Sequence, residues 1–232
     1  MQKTPQQTHI ELSEGYFDYL AERFPVMCAS DEFHFLPRAE NAANHYDQLD
    51  NLDADQISET IDVLMSLQKG LPALRGQDDD LEKQLDIDLL QANINGFLIE
   101  FMQNRSWQYN PILYLKIAFI GLDHALHKPS ASLEETIERT ISRLSEIPRI
   151  LRQAADNIGT VPAAYYQASL YMIDDCRQYL EDIFNPLANN QSQATTAELS
   201  KMINAAVSGL DSFQRFLNGL MPASDQLFGA ET

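Results

Sequence analysis

The sequence predicts an all-α protein, an antiparallel bundle or array of about seven helices. Three observations carry this. Apolar residues recur at helical spacing along most of the 232 residues. Glycine is scarce at 9 residues, about half its usual share of ~7%. Serine, threonine, asparagine or aspartate repeatedly precedes an apolar run, as at a helix N-terminus. No segment alternates apolar and polar residues as a half-buried strand does, and no fixed period marks a solenoid.

The first helix is predicted over Ser13–Arg23, with Ser13 as N-cap and Glu14 in the first turn. Phe17, Leu20, Ala21 and Phe24 share a face, and Pro25 ends the run. Residues 26–52 have no period and read as a long ordered loop holding Cys28, His34, His45 and Tyr46. A second helix opens at Asp53, carries Ile57, Ile61, Leu64, Met65 and Leu71, and is closed by Gly70 and Pro72. The run from Gly76 to Asp80 is a turn, and Asp80 caps a third helix reaching about Asn104. Its apolar positions, among them Leu81, Leu85, Leu89, Phe97 and Phe101, spread so widely that contact with more than one neighbour is expected.

A connector, Arg105 to Asn110, holds Trp107, which is expected to be buried at the junction. Pro111 suits the first position of a fourth helix ending near His127. Ser132 and Glu135 form a capping box for a fifth, Leu133 to Glu146. Pro148 starts or kinks the next turn, which runs to a stop at Gly159. Pro162 begins a long helix that Pro186 ends. After a polar linker, Thr195 and Glu198 form a second capping box for a last helix to about Leu220. The whole, residues 1–232, is expected to be one helical domain with polar tails at 1–11 and 223–232.

Acidic residues outnumber basic ones 34 to 16, for a formal net charge of −18. That excludes nucleic acid and anionic membrane as expected partners, since both need clustered Lys and Arg. No apolar run reaches the ~18 residues of a membrane span, and Met1 to Gly15 lacks the apolar core of a signal peptide. Cys28 and Cys176 lie far apart, fit no metal-ligand spacing and are expected to be two buried thiols. A cytoplasmic location is expected.

The sequence has no HExxH, GxSxG, Walker A or GxGxxG motif. Three constellations remain. Asp123, His124 and His127 close a helix at spacings that bring a carboxylate and two imidazoles near one another, a set suited to a divalent metal. A solvated C-terminal turn, where histidine suits the helix dipole, explains them better. Asp47, Asp50, Asp53, Asp55 and Glu59 loosely resemble a calcium loop but lack its turn glycine and its alternating oxygen ligands. Tyr165, Tyr166, Tyr171 and Tyr179 suit a ligand groove, although helical spacing with Leu170 and Ile173 favours packing. His34 and His45 have no nucleophile near them in sequence. No catalytic residue, metal ligand or cofactor is assigned.

An ordered set of residues resembles one family. Arg23-Phe24-Pro25 is followed by a loop holding His34, then by Asp88-Leu89-Leu90. Trp107, Asn110-Pro111 and Tyr114-Leu115 come next, and Arg143-Leu144, Ile147-Pro148 and Leu151 complete it. Over about residues 12–231 this resembles the N-terminal half of the bacterial "domain of unknown function 885" proteins, large helical zinc-metallopeptidase relatives of the HExxH type. The resemblance implies a non-catalytic helical scaffold or protein-binding module, or a part of a peptidase whose HExxH half lies elsewhere. Glu32 stands where relatives tend to have glycine, nothing at His124 or His127 fits the family, and no catalytic role carries over. The resemblance also implies an uncovered apolar surface, expected at Tyr165, Tyr166, Phe213, Phe216, Leu227 and Phe228, and hence a homo-oligomer or a separate catalytic half as partner.

Overall fold

The computed structural model describes residues 9–75, 80–189 and 191–223. Among them the regular structure is helical, apart from an isolated bridge between Pro162 and Ala223. Eight α-helices follow in order: α1 (His9–Arg23), α2 (Pro25–Ala29), α3 (Ala54–Arg75), α4 (Leu81–Leu98), α5 (Pro111–His127), α6 (Leu133–Asn157), α7 (Ala163–Ala188) and α8 (Gln193–Gly219). Seven of these exceed a dozen residues, α2 being the exception.

The predicted starts hold where a side chain caps the helix. The Asp80 carboxylate accepts from the Glu82 amide at 3.0 Å, and Asn110 Oδ1 from the Ile112 amide at 3.1 Å. Ser132 Oγ accepts from the Glu135 amide at 3.1 Å, and the Glu135 carboxylate reaches back to the Ala131 amide. Elsewhere the structure differs. α1 already includes His9, four residues before Ser13. The expected loop contains α2 and a 3-10 helix, Glu40–His45. Pro72, Pro148 and Pro186 do not end or open helices; α3, α6 and α7 run through them. α6 closes at Ile158 rather than Gly159. α8 starts three residues early because Ser192, not Thr195, is its cap, accepting from the Thr195 amide at 3.1 Å. Trp107 is half-buried, not buried. The Gly76–Asp79 turn and most of both tails lie outside the described residues.

The chain gathers into two compact units. The first holds residues up to His45 and Ala54–Arg105, thus α1 to α4. Its centre is aromatic: Phe97 and Phe101 stack at 4.2 Å, and Phe24 packs on both. A π-helical turn, Ile99–Asn104, delivers Phe101 inward and stops at Arg105, whose φ of 53° is left-handed. The second unit holds Tyr46–Asp53 and residues from Ser106 on, thus α5 to α8. There α6 packs on α5 and α8, and α7 packs on both of those.

Inside the second unit, Tyr46–Asp53 is a strap held by polar side chains of α6. Arg143 Nε donates to the Gln48 carbonyl at 3.0 Å, and Arg149 to the Asp50 carbonyl at 3.2 Å. Gln153 receives the Leu52 amide at 3.1 Å, and Asn157 donates to the Leu52 carbonyl at 2.6 Å. A strap without helix or strand must satisfy its backbone in this way when buried. Four turns of one helix do so here.

Candidate functional site

The first unit holds a cleft of about 810 Å³ walled by α1, the 3-10 helix and α4. Helical periodicity assembles it. Ile10, Ser13, Glu14, Phe17 and Asp18 of α1 recur three or four residues apart, as do Asp86, Leu89, Leu90 and Asn93 of α4. The opposite face of α1 buries Tyr16 and Leu20. The third wall is fixed by backbone, the Ala39 amide donating to the Cys28 carbonyl at 3.0 Å.

The cleft's floor is apolar and its rim acidic. Ile10, Phe17, Ala39, Leu89 and Leu90 supply carbon, while Glu14, Asp18, Glu40 and Asp86 supply carboxylates. Its basic side chains already have acidic neighbours. Arg38 is held by Asp31 at 3.0 Å, and His9 stands 3.9 Å from Asp86. Among the described residues, neither Glu14 nor Glu40 has an ion-pair partner.

The floor continues out of the cleft along α4. Leu81, Leu85 and Leu89 follow one another by single turns and are 68%, 53% and 62% exposed, with Ile10 beside them at 56%. The sequence includes these leucines in a face expected to meet neighbours; in the structure α4 buries Ile87, Leu90, Ile94 and Phe97 instead. A second hollow of about 640 Å³ between α1 and α3 has no charged side chain in its lining.

The three sequence constellations fare differently. Asp123 and His127 form an exposed pair at 2.9 Å, whereas His124 turns to the opposite side, buried with its ring 6.1 Å from that of Tyr46. The two imidazoles therefore do not share a site. Among the described residues, no three His, Cys, Asp or Glu side chains gather as a metal ion requires. The acidic stretch is divided: Asp47, Asp50 and Asp53 belong to the second unit, Asp55 and Glu59 to the first, where Glu59 takes Arg23 at 3.2 Å. Of the tyrosines, Tyr179 donates to Asp123 at 3.4 Å, and burial with the nearby carboxylate pushes its phenol well above the usual range. Tyr166 donates to Asn218, Tyr165 stacks on Tyr109 at 6.2 Å, and Tyr171 is exposed. His34 is exposed and His45 half-buried.

Of the expected uncovered patch, Tyr165 is exposed and Tyr166 half-buried. Phe213 is 2% exposed and Phe216 half-buried, because α8 turns that face onto α6 and α7. Leu227 and Phe228 lie outside the described residues. Among the described residues, the leucine row of α4 is a further exposed apolar face.

Sequence reasoning also missed the buried cations of α6. Arg139 and Arg143 sit one turn apart inside an otherwise apolar stripe, a placement visible in the sequence as charge at core positions. Arg139 donates to the Ala125, Lys128 and Pro129 carbonyls, closing the C-terminus of α5. Arg143 donates to the Gly121 and Gln48 carbonyls, and both guanidinium groups lie over the Tyr46 ring. Burial lowers Arg143 to about 10 against the opposing pull of Asp50 and Asp47. These groups are consumed by backbone carbonyls and hold the fold.

Fold and cleft thus define a helical protein with an open groove lined by apolar and acidic side chains. No family model matches the chain, and no curated protein matches it. A solved structure with a similar fold is that of a "putative lipoprotein of unknown function" from Shewanella oneidensis. The two superpose with a TM-score of 0.72 at 17% identity, over 92% of this chain and 37% of the other. The chain thus spans well under half the length of that neighbour, and the likeness establishes the fold alone. Among the described residues no helix is long and apolar enough to cross a membrane.

Proposed function

We propose that the chain is a non-catalytic helical module that docks a segment of another protein. The observation that carries this is the open cleft of α1 and α4 with the exposed row Leu81, Leu85 and Leu89 running into it. A contiguous apolar surface with a polar rim marks an interaction site, and a groove between helices suits an amphipathic segment presenting residues at i, i+3, i+4 and i+7. Panning a random peptide library on the protein tests it. Enriched peptides should carry apolar residues at helical spacing and lose binding to the double variant Leu85→Asn, Leu89→Asn. Equal binding to both proteins refutes this site.

A second reading treats the chain as the helical half of a peptidase completed by an HExxH-bearing half. It is supported by the ordered residues that resemble the domain of unknown function 885 proteins, and by a structural neighbour of which the chain covers only 37%. Zinc-dependent peptide hydrolysis on co-expression with an HExxH frame encoded immediately downstream tests it; no such frame, or no hydrolysis, removes this reading. A cytoplasmic location belongs to the same proposal. Its support is that Cys28 and Cys176 are buried and joined by no disulfide, as a reducing compartment favours.

A further inference from the structure

The acidic rim specifies the occupant further. Resting on the docking reading above, we infer that the cleft of the first unit binds a cationic amphipathic helix of another protein. Four carboxylates line the cleft, Glu14, Asp18, Glu40 and Asp86, around an apolar floor of Phe17, Ala39 and Leu90, with exposed Ile10 and Leu89 at its edge. The cations nearby are spoken for: Arg38 by Asp31, Arg75 by Asp88 at 2.8 Å, and Lys83 by Asp80 at 3.9 Å. A helix with one leucine face thus finds carbon beneath it and carboxylate along its edges, where its lysines or arginines would lie. The same charge argues against a second copy of this chain, since each copy carries −18 and the same rim. Complementary charge sets both selectivity and encounter rate, whereas the leucines supply the contact.

Three fluorescent helical peptides of about 18 residues, long enough to populate helix, separate these contributions: Leu/Lys, Leu/Gln and Leu/Glu, each with one leucine face. Anisotropy is followed at low salt and at about 0.15 M, where the screening length is about 8 Å. The Leu/Lys peptide should bind at both, about tenfold tighter than Leu/Gln, and Leu/Glu should not bind. The rim variant Glu14→Gln, Glu40→Gln, Asp86→Asn should weaken Leu/Lys binding about tenfold, since each exposed pair contributes modestly. The control variant Asp175→Asn, Glu181→Gln, Glu198→Gln removes the same charge from exposed positions of α7 and α8 in the second unit and should leave binding unchanged. Equal binding of Leu/Lys and Leu/Gln, abolished by Leu85→Asn with Leu89→Asn, overturns the cationic preference while leaving the docking site in place. Equal weakening by the rim and control variants shows unspecific charge attraction and overturns the inference. So does binding of no peptide, or self-association that the leucine variant abolishes. Far-ultraviolet circular dichroism confirms that each variant is folded, which replacements at exposed side chains permit.

Discussion

Replacing Arg143 with methionine tests how the strap is held. The guanidinium is fully buried, donates to the Gln48 and Gly121 carbonyls, and faces the buried Asp50. Methionine refills most of the volume, so the loss is electrostatic. Two buried carbonyls lose their donor, and Asp50, also fully buried, loses its counter-charge. Leaving a buried acceptor without its donor costs about 1–3 kcal/mol, so two carbonyls together account for a loss of about 4 kcal/mol. At an m-value near 2 kcal/mol/M this lowers the urea midpoint by roughly 2 M. Trp107 is the chain's one tryptophan and belongs, like Arg143, to the second unit. Its fluorescence therefore reports the affected unit, while circular dichroism at 222 nm reports both. The double variant Arg143→Met, Asp50→Asn should recover about 1–2 kcal/mol, because the stranded carboxylate is gone. A single-variant cost below about 1 kcal/mol, or no recovery in the double, refutes this account of the strap.

The remaining predictions concern α6, α7 and α8. Ser192→Ala should cost about 1 kcal/mol as the loss of a cap, and Glu198→Ala only a few tenths, measured by urea unfolding; the reverse order would restore Thr195 with Glu198 as the helix start. A Cβ on Gly209 would come within 3.2 Å of the Pro148 Cα, which is backbone and cannot swing aside, so Gly209→Val should cost about 1–3 kcal/mol by thermal unfolding. A stable Gly209→Val protein would show that α6 and α8 are not in such close contact. Burial pushes the Cys176 thiol from 9.0 up to about 12. An acid whose folded value is raised contributes stability that is complete below its unfolded value. That stability is lost as pH rises from about 9 to about 12, at up to about 1.4 kcal/mol per pH unit. Between pH 8 and 10 the wild type should therefore lose more stability than Cys176→Ala, and parallel pH profiles would refute the burial.

Most helix starts were legible because capping is local. Asp80, Asn110-Pro111 and Ser132 with Glu135 each satisfy amide groups within three residues, so a short window holds the whole signal. Helix ends are illegible where a proline mimics a stop signal. A helical proline costs about 3 kcal/mol, but Pro148 sits between buried Ile147 and buried Ile150 and Leu151. Interrupting α6 there would expose that row, and burying one such side chain contributes about 1.5–3 kcal/mol. The proline loses to the apolar residues around it. The glycine of α8 opposite it supplies the close approach that a proline inside a packed helix needs.

The strap and the leucine row were hidden for opposite reasons. Tyr46–Asp53 has no period because its order comes from side chains about a hundred residues later, Arg143 to Asn157, and a local reading sees only loop. The row Leu81, Leu85, Leu89 is periodic, and the sequence pattern does show it. What periodicity does not reveal is which of two apolar faces the fold covers. α4 has one face through Ile87, Leu90, Ile94 and Phe97 and another through the leucines, and only the first is buried. A soluble helix ordinarily has a single apolar stripe. The second stripe on α4 therefore has no role in closing its own unit, and its last leucine, Leu89, lines the cleft together with Glu14, Asp18, Glu40 and Asp86.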